Sequence, residues 1–372
     1  MTGTVAQIIR ILDRLAPSRL AESWDNVGLQ LGNPAWPVKK IWTALDPLPE
    51  VVADACENDV DVLVTHHPLF FKPLQRIDCG TPQGRIVETA LSRRLAIISA
   101  HTNLDSVPGG VNDILAAKMG LGNLRALGGP VDVDMVKLVI FVPLTHVRPM
   151  LDALFALDAG RIGKYRCCTF RSEGVGTFWP DGDATPAVGK RNTLSEVKES
   201  RIEIIVAQNN LGTVVDALKK VHPYETMAHD VYPLAVRDHQ TGLGRVGQLP
   251  SPVALEAFSA RLKAALNLST VKVVGQPDVA VETVAVCSGS GASLMAAAVA
   301  SGAQAYVSGD LGYHTARDAQ QAGIGLIDIG HFGSEHLIVD VLAGYIRDAL
   351  KAAGLSATVE AADTETDPFH YL

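Results

Sequence analysis

The chain has little that would staple it, anchor it or draw it to a polyanion. Its five cysteines (Cys56, Cys79, Cys167, Cys168, Cys287) are odd in number and show no C-x-x-C spacing. That excludes a disulfide framework and a thiolate zinc site, and points to a reducing, cytoplasmic compartment. No apolar run reaches the ~18 residues of a membrane helix. The N-terminal MTGTVAQIIRILDRLAPS carries Arg10, Asp13 and Arg14, so it reads as a short amphipathic helix and not as a signal peptide. No basic excess exists either: the formal net charge is −8. An unaided binder of nucleic acid or anionic membrane normally presents a basic face. Lys219-Lys220 and Arg93-Arg94 are too short as runs to make one.

What is present is enough apolar sequence for buried cores. Of 372 residues, 47% are hydrophobic, and the length suits two or three domains. The first ~125 residues alternate strand-like and helix-like segments. Apolar runs at Ile41–Leu45, Val60–Thr65 and Leu95–Ala100 alternate with helical spacing over Glu50–Glu57, Thr81–Arg94 and Gly109–Met119. The last ~130 residues repeat the style. Helices are predicted over Pro252–Leu266, Gly291–Ala300, Thr315–Ala322 and Glu335–Ala352, with strands at Val271–Val274, Thr283–Cys287, Ala305–Ser308 and Gly325–Ile329. Such alternation predicts an α/β domain with mixed, mainly parallel sheets.

The middle differs. After Gly128-Gly129-Pro130, strands are predicted at Lys137–Val142, Tyr165–Arg171, Arg201–Ala207 and Ala228–Tyr232, with helices at Val147–Leu157 and Thr213–Val221. That order is βαββαβ, the ferredoxin-like α+β arrangement. Residues 174–192, rich in Gly and Pro, read as a long hairpin or loop. The domain expectation is therefore a discontinuous α/β domain, 1–128 with 242–372, interrupted by a ferredoxin-like insert at 129–241.

Four histidine- or acid-bearing loops follow predicted strands directly. VDVLVT runs into His66-His67-Pro68, and LAIISA into His101-Thr102-Asn103-Leu104-Asp105. AYVSG runs into Asp310, with His314 four residues on, and GLIDIG into His331-Phe332-Gly333-Ser334-Glu335. Ligands gather outside the carboxyl ends of strands in open α/β sheets, so residues far apart in sequence can converge there. His66, His67, His101, Asp105, His331 and Glu335 offer four imidazoles and two carboxylates. This nitrogen and oxygen set suits Zn, Mn, Fe, Co or Ni. Six side chains exceed one tetrahedral ion and suit two divalent ions per chain. A lone histidine at a strand end is more often a satisfied polar group; the combination is what carries the metal reading. Asp310 and His314 are candidates for catalytic or outer-sphere duty, and a helix N-cap is the competing role for Asp310. Cys287-Ser288-Gly289-Ser290-Gly291 reads either as an anion-binding loop or as a tight turn. Trp24, Phe70 and Phe71 are either pocket-lining or core.

At these residues the sequence resembles the NIF-three-like family, whose members carry the label GTP cyclohydrolase 1 type 2 homolog. The matching motifs are Trp24-Asp25-Asn26-Val27-Gly28-Leu29-Gln30-Leu31-Gly32, His66-His67-Pro68-Leu69-Phe70-Phe71, His101-Thr102-Asn103-Leu104-Asp105, Ser308–Asp310 with His314, and Gly330–His336. Gly160–Phe170, Gly174–Phe178 and His222-Pro223-Tyr224-Glu225 are similar to the PII- or CutA-like insert of the family's long form. The resemblance implies a dinuclear metal centre held by His66, His67, His101, Asp105, His331 and Glu335, and a toroidal homohexamer. It also implies a metal-dependent hydrolase acting on a small, nucleotide-like substrate. The competing reading is a non-catalytic, metabolite-sensing scaffold.

Overall fold

The computed structural model describes residues 3–128, 135–163, 165–234 and 241–370. Gly129, Pro130 and Lys164 of the motifs above, and the outer edges of the expected insert, lie outside the described residues. The chain divides into two compact units, residues 1–131 with 239–372, and residues 132–238.

The larger unit holds two mixed sheets. One runs Thr358–Ala361, Lys40–Ala44, Val62–Thr65, Ala96–Ser99, Gly28–Leu31 in spatial order. Its first four strands are mutually parallel and the last is antiparallel. Every residue of Val62–Thr65 and of Ala96–Ser99 is buried, as strands covered on both faces must be. The other sheet runs Lys272–Val274, Gly325–Asp328, Ala305–Gly309, Ala280–Ser290, Gly244–Ala254, Gly122–Leu127. Its parallel strands are the three that start at Ala280, Ala305 and Gly325; the other neighbours pair antiparallel.

Each sheet is packed by its own apolar cluster. Val51, Val52 and Ala55 of the Pro49–Glu57 helix meet Leu63, Ile86, Ala90 and Ile97. Leu255, Phe258 and Leu262 of the Leu255–Ala265 helix meet Val284, Val286, Val307 and Ile327. Burying such side chains fully is worth about 1.5–3 kcal/mol each before entropy is counted.

Several predicted elements shift. The expected Glu335–Ala352 helix is two: a five-residue helix His331–Glu335, then Ile338–Ala352. Gly244–Ala254 is a strand, so the helix predicted from Pro252 begins at Leu255. Its Pro250, Pro252 and alternating polar residues conceal a strand that is bulged between Gln248 and Val253.

The smaller unit is an antiparallel four-stranded sheet, ordered His229–Pro233, Met135–Pro143, Ser195–Ala207, Thr169–Phe178, with helices Val147–Ala156 and Leu211–Lys219. The chain order βαββαβ with spatial order 4-1-3-2 is the split-βαβ arrangement. Val136, Leu138, Ile140, Ile202 and Ile204 form its core with Met150, Leu154, Val214 and Leu218. Of the two readings of 174–192, the long hairpin holds, with its connection running over 179–194. Gly174–Phe178 completes a strand in register with Ser195–Glu199, which is edge-placed and tolerates its glycines.

Candidate metal centre

All the site residues belong to the larger unit and sit at the carboxyl ends of its parallel strands. His66 and His67 follow Val62–Thr65 directly, with their backbone N–H groups donating to Ala44 and Leu45. His101 caps the one-turn helix Thr102–Ser106, and Asp105 lies four residues on. His331 and Glu335 open and close another one-turn helix. A spacing of four puts both side chains on one helical face. His331 Nε2 accordingly stands 2.9 Å from Glu335 Oε2.

Three groups of side chains bring ligand atoms within 4.8 Å of one another: His66, His67 and His101; His67, His331 and Glu335; and His66, Asp105 and Glu335. The six candidates thus form one continuous cluster, in which His67, His66 and Glu335 are shared. Each group could hold a metal ion. His67 Nε2 is 3.0 Å from Glu335 Oε2 and 3.3 Å from His331 Nε2. His66 Nε2 lies 3.6 Å from Asp105 Oδ1 and 3.8 Å from Glu335 Oε2.

The outward nitrogens explain why the inward ones suit a cation. His66 Nδ1 faces the Ala100 carbonyl at 2.9 Å, which can only accept. His67 Nδ1 faces Asp46 at 2.7 Å, His101 Nδ1 faces Asp25 at 2.9 Å, and His331 Nδ1 faces Asp310 at 2.7 Å. With Nδ1 so engaged, each ring in its neutral form would turn an Nε2 lone pair inward. In that form four lone pairs and two carboxylates converge. His66 Nε2 is fully buried and has no hydrogen-bond partner, a costly state for a polar atom unless something binds it. The donor chemistry fits divalent ions; imidazoles held from behind by carboxylates are the usual support for such ligands.

Without a cation, protons take its place. Burial works against a charged His67, but hydrogen bonds to Asp46 and Glu335 outweigh it and raise its pKa to about 10. The hydrogen bond to Glu335 raises His331 to about 9. Burial opposes the charge on Glu335, yet His331, His66 and His67 hold it well below the usual carboxylate range. Burial, with the nearby Glu335 charge, pushes Asp105 upward. Asp25 is held at about 2, because hydrogen bonds from His101 and Thr102 outweigh its burial.

Asp25 and Asp46, which hydrogen-bond two of the candidate rings, are residues that strand-exit reasoning had not assigned. Asp46 follows the strand Lys40–Ala44 by two residues, so the same criterion reaches it. Asp25 lies on an irregular stretch before Gly28–Leu31, and only the fold brings it to His101. Its other oxygen accepts from the Thr102 amide and hydroxyl. Behind Asp46 stands Glu365, 8% exposed, whose carboxylate accepts from the Leu45 and Asp46 amides at 2.8 Å each. Nothing local marks Glu365; it is more than 300 residues away in sequence.

Asp310 faces His331 Nδ1 and caps no helix, since the helix Tyr313–Ala322 has Gly312 at its N-cap. His314 is exposed on that helix, edge-on to Tyr313, and belongs to none of the three ligand groups. The Cys287–Gly291 segment is neither an anion loop nor a free turn. It ends the strand Ala280–Ser290 and forms a wall of the cluster. Its amides are taken: Ser288 N–H donates to Asn112, Gly289 N–H to Ser334 and Gly291 N–H to Ser308. Ser288 Oγ donates to Asp105 at 3.3 Å. Gly289 has φ +57°, and a Cβ there would lie 2.1 Å from Glu335 Oε1, so glycine is required twice over.

Arg245, 2% exposed, holds the Asp105 helix from below. It donates to the Ser106 and Val107 carbonyls at 3.2 and 2.7 Å and pairs with Asp113. One cavity borders the cluster, and a second lies against the aromatic side chains that pack on His101. One, of about 500 Å³, adjoins His67 and His331 and is bordered by Asp46, Asp310, Lys272 and Phe369. The other, of about 550 Å³, lies on the His101 side between Trp24, Phe70 and Phe71.

Fold and site together define an α/β protein with a histidine–carboxylate cluster able to hold metal at the strand ends of a two-part unit. The Duf34/NIF3 (NGG1p interacting factor 3) family profile matches residues 3–368, and the chain belongs to that family. A "GTP cyclohydrolase 1 type 2 homolog" from Halalkalibacterium halodurans is 38% identical, over 98% of this chain and 98% of the relative. One of the same name from Mycobacterium leprae is 37% identical, over 100% and 96%. The crystal structure of a Bacillus cereus protein related to NIF3 is similar with a TM-score of 0.83 and 36% identity, covering 100% of this chain and 99% of that one. Among the described residues no helix is long and apolar enough to cross a membrane.

Proposed function

We propose that the cluster holds two divalent ions and that the protein is a metal-dependent hydrolase of a small, nucleotide-like substrate. The observation that carries this reading is the inward convergence of four imidazole Nε2 atoms and two carboxylates, with His66 Nε2 buried and unpartnered. His66, His67, His101, Asp105, His331 and Glu335 are the proposed ligands that would hold them. Divalent ions supply Lewis acidity when bound, acidifying water and polarising an electrophile.

The chain's own residues do the rest. Asp46, Asp25 and Asp310 fix the imidazole planes and keep each Nδ1 protonated. Asp310 borders the cavity beside His331, where its second oxygen is placed to accept a substrate or water proton. The relatives' shared name points to nucleotides, and no residue in the site reads guanine on its own.

The test is elemental analysis of tag-free protein, followed by hydrolysis assays against nucleotides and cyclic amides. About two equivalents of metal per chain are expected. Turnover should be lost in a His67→Ala, Glu335→Ala double variant. Equal trace activity in both proteins would leave a metal-binding scaffold as the function. Light scattering tests the homohexamer that the family resemblance implies.

A further inference from the structure

We propose that the cavity beside His101 is a ring-binding subsite, so that the substrate carries a planar unsaturated ring next to the group that meets the metals. The inference rests on the metal reading above and adds the chemistry of the ligand. Trp24 and Phe71 both stand edge-on to the His101 imidazole, with ring centroids 6.0 and 5.6 Å away. They are not core residues: Trp24 is 58% exposed and Phe71 51% exposed. Ile77 and Leu74 extend the same apolar lining, with Phe70 half-buried behind them.

One hydrogen-bond network joins the two segments that carry these rings. Asn26 Nδ2 donates to the Phe70 carbonyl at 2.7 Å and to Gln30 Oε1 at 3.0 Å, while Gln30 Nε2 donates to the Asn26 carbonyl at 2.8 Å. This ties the loop carrying Trp24 to the loop carrying Phe71. Residues of Trp24–Asn26 and of Phe70–Ile77 thus line one cavity from two distant segments. The cavity volume of about 550 Å³ is that of a small-molecule site.

Its electrostatics choose the ligand part. Among the described residues, Asp25 is the only charged one lining it. That side chain is fully buried and engaged with His101 and Thr102. The cavity on the other side of the cluster is bordered by Asp46, Asp310, Asp328, Asp367 and Lys272. An uncharged ring is favoured on the His101 side, where aromatic faces offer stacking, and the polar part of the ligand belongs at the ligand cluster and beyond it.

The experiment uses two hydroxamates that share a metal-binding group and differ in the ring. Acetohydroxamate and benzohydroxamate are titrated calorimetrically into Mn-loaded full-length protein. Benzohydroxamate should bind about tenfold tighter, and this ratio should fall to about threefold or less in Trp24→Ala and in Phe71→Ala, with Trp24→Phe restoring most of it. Melting curves in chelator check that the variants fold. A ratio near one in the wild type, or one unchanged in both alanine variants, overturns the subsite. If acetohydroxamate itself does not bind, the metal reading falls and this inference with it. If the alanine variants change the oligomer mass in light scattering while the ratio stays, the aromatic face is covered by a second copy and the subsite is overturned.

Discussion

Replacing Asp46 with asparagine tests the metal reading without touching a proposed ligand. Asp46 Oδ1 lies 2.7 Å from His67 Nδ1, and His67 Nε2 lies 3.0 Å from Glu335. The asparagine oxygen can still accept the Nδ1 hydrogen, so the ring keeps its place. What is lost is the negative charge behind it, and with it part of the basicity of Nε2. Carboxylates behind ligating histidines are typically worth about 10–100-fold in metal affinity, or about 1.4–2.7 kcal/mol. His67 belongs to two of the three ligand groups, so the loss should fall toward the upper end. Two measurements read it: competition for Zn with a chromophoric chelator, and metal content after dialysis. A second readout is the His67 titration in chelated protein, which should move down from about 10. Asp310→Asn should act on His331 in the same way, and more weakly because that carboxylate is half exposed. Affinity within twofold of wild type for Asp46→Asn, with an unmoved His67 titration, would refute the idea that the outer carboxylates tune a metal site.

Other outcomes follow from the same geometry. In chelated protein, His67 and His331 have folded pKa values raised to about 10 and about 9 above their ordinary 6.5. Their contribution to stability is complete below about 6.5 and is lost as pH rises through 9 to 10; melting temperature should fall across that window. Metal must displace those protons, so loading should release protons near neutral pH, measured as a buffer-dependent calorimetric enthalpy. Gly289→Ala should cost about 1–3 kcal/mol from its positive φ and also lower metal content, because the new Cβ meets Glu335 Oε1. Glu365→Ala leaves the Leu45 and Asp46 amides without their acceptor. It should lower the melting temperature and weaken metal binding less than Asp46→Ala does. Arg245→Met should destabilise by about 3–5 kcal/mol, seen in denaturant melts, because it breaks a buried ion pair and strips the Ser106 and Val107 carbonyls of their donor.

The sequence was legible where a signal is local. Apolar runs such as VLVT and AIIS mark strands buried on both faces, and so mark the strand exits where His66, His101 and His331 stand; the one-turn helices Thr102–Ser106 and His331–Glu335 read as loops. It was illegible where the signal is long-range. Gly244–Ala254 reads poorly as a strand because its prolines and bulge break the two-residue alternation. The Gly289 segment looks like an anion loop until Asn112, Ser334 and Ser308 are seen to occupy its amides.

By itself, then, the order of residues determined which chemistry is available: imidazoles and carboxylates at strand exits, no C-x-x-C spacing, and a net charge of −8. Periodicity and turn residues act within a few positions, so that much is written along the chain. Only the tertiary structure decided which nitrogen of each ring faces inward, since that depends on acceptors contributed by Asp25, Asp46, Ala100 and Asp310 from four other segments. It also left Trp24 and Phe71 in solvent beside His101, because burial is a property of packed surfaces and not of residue type.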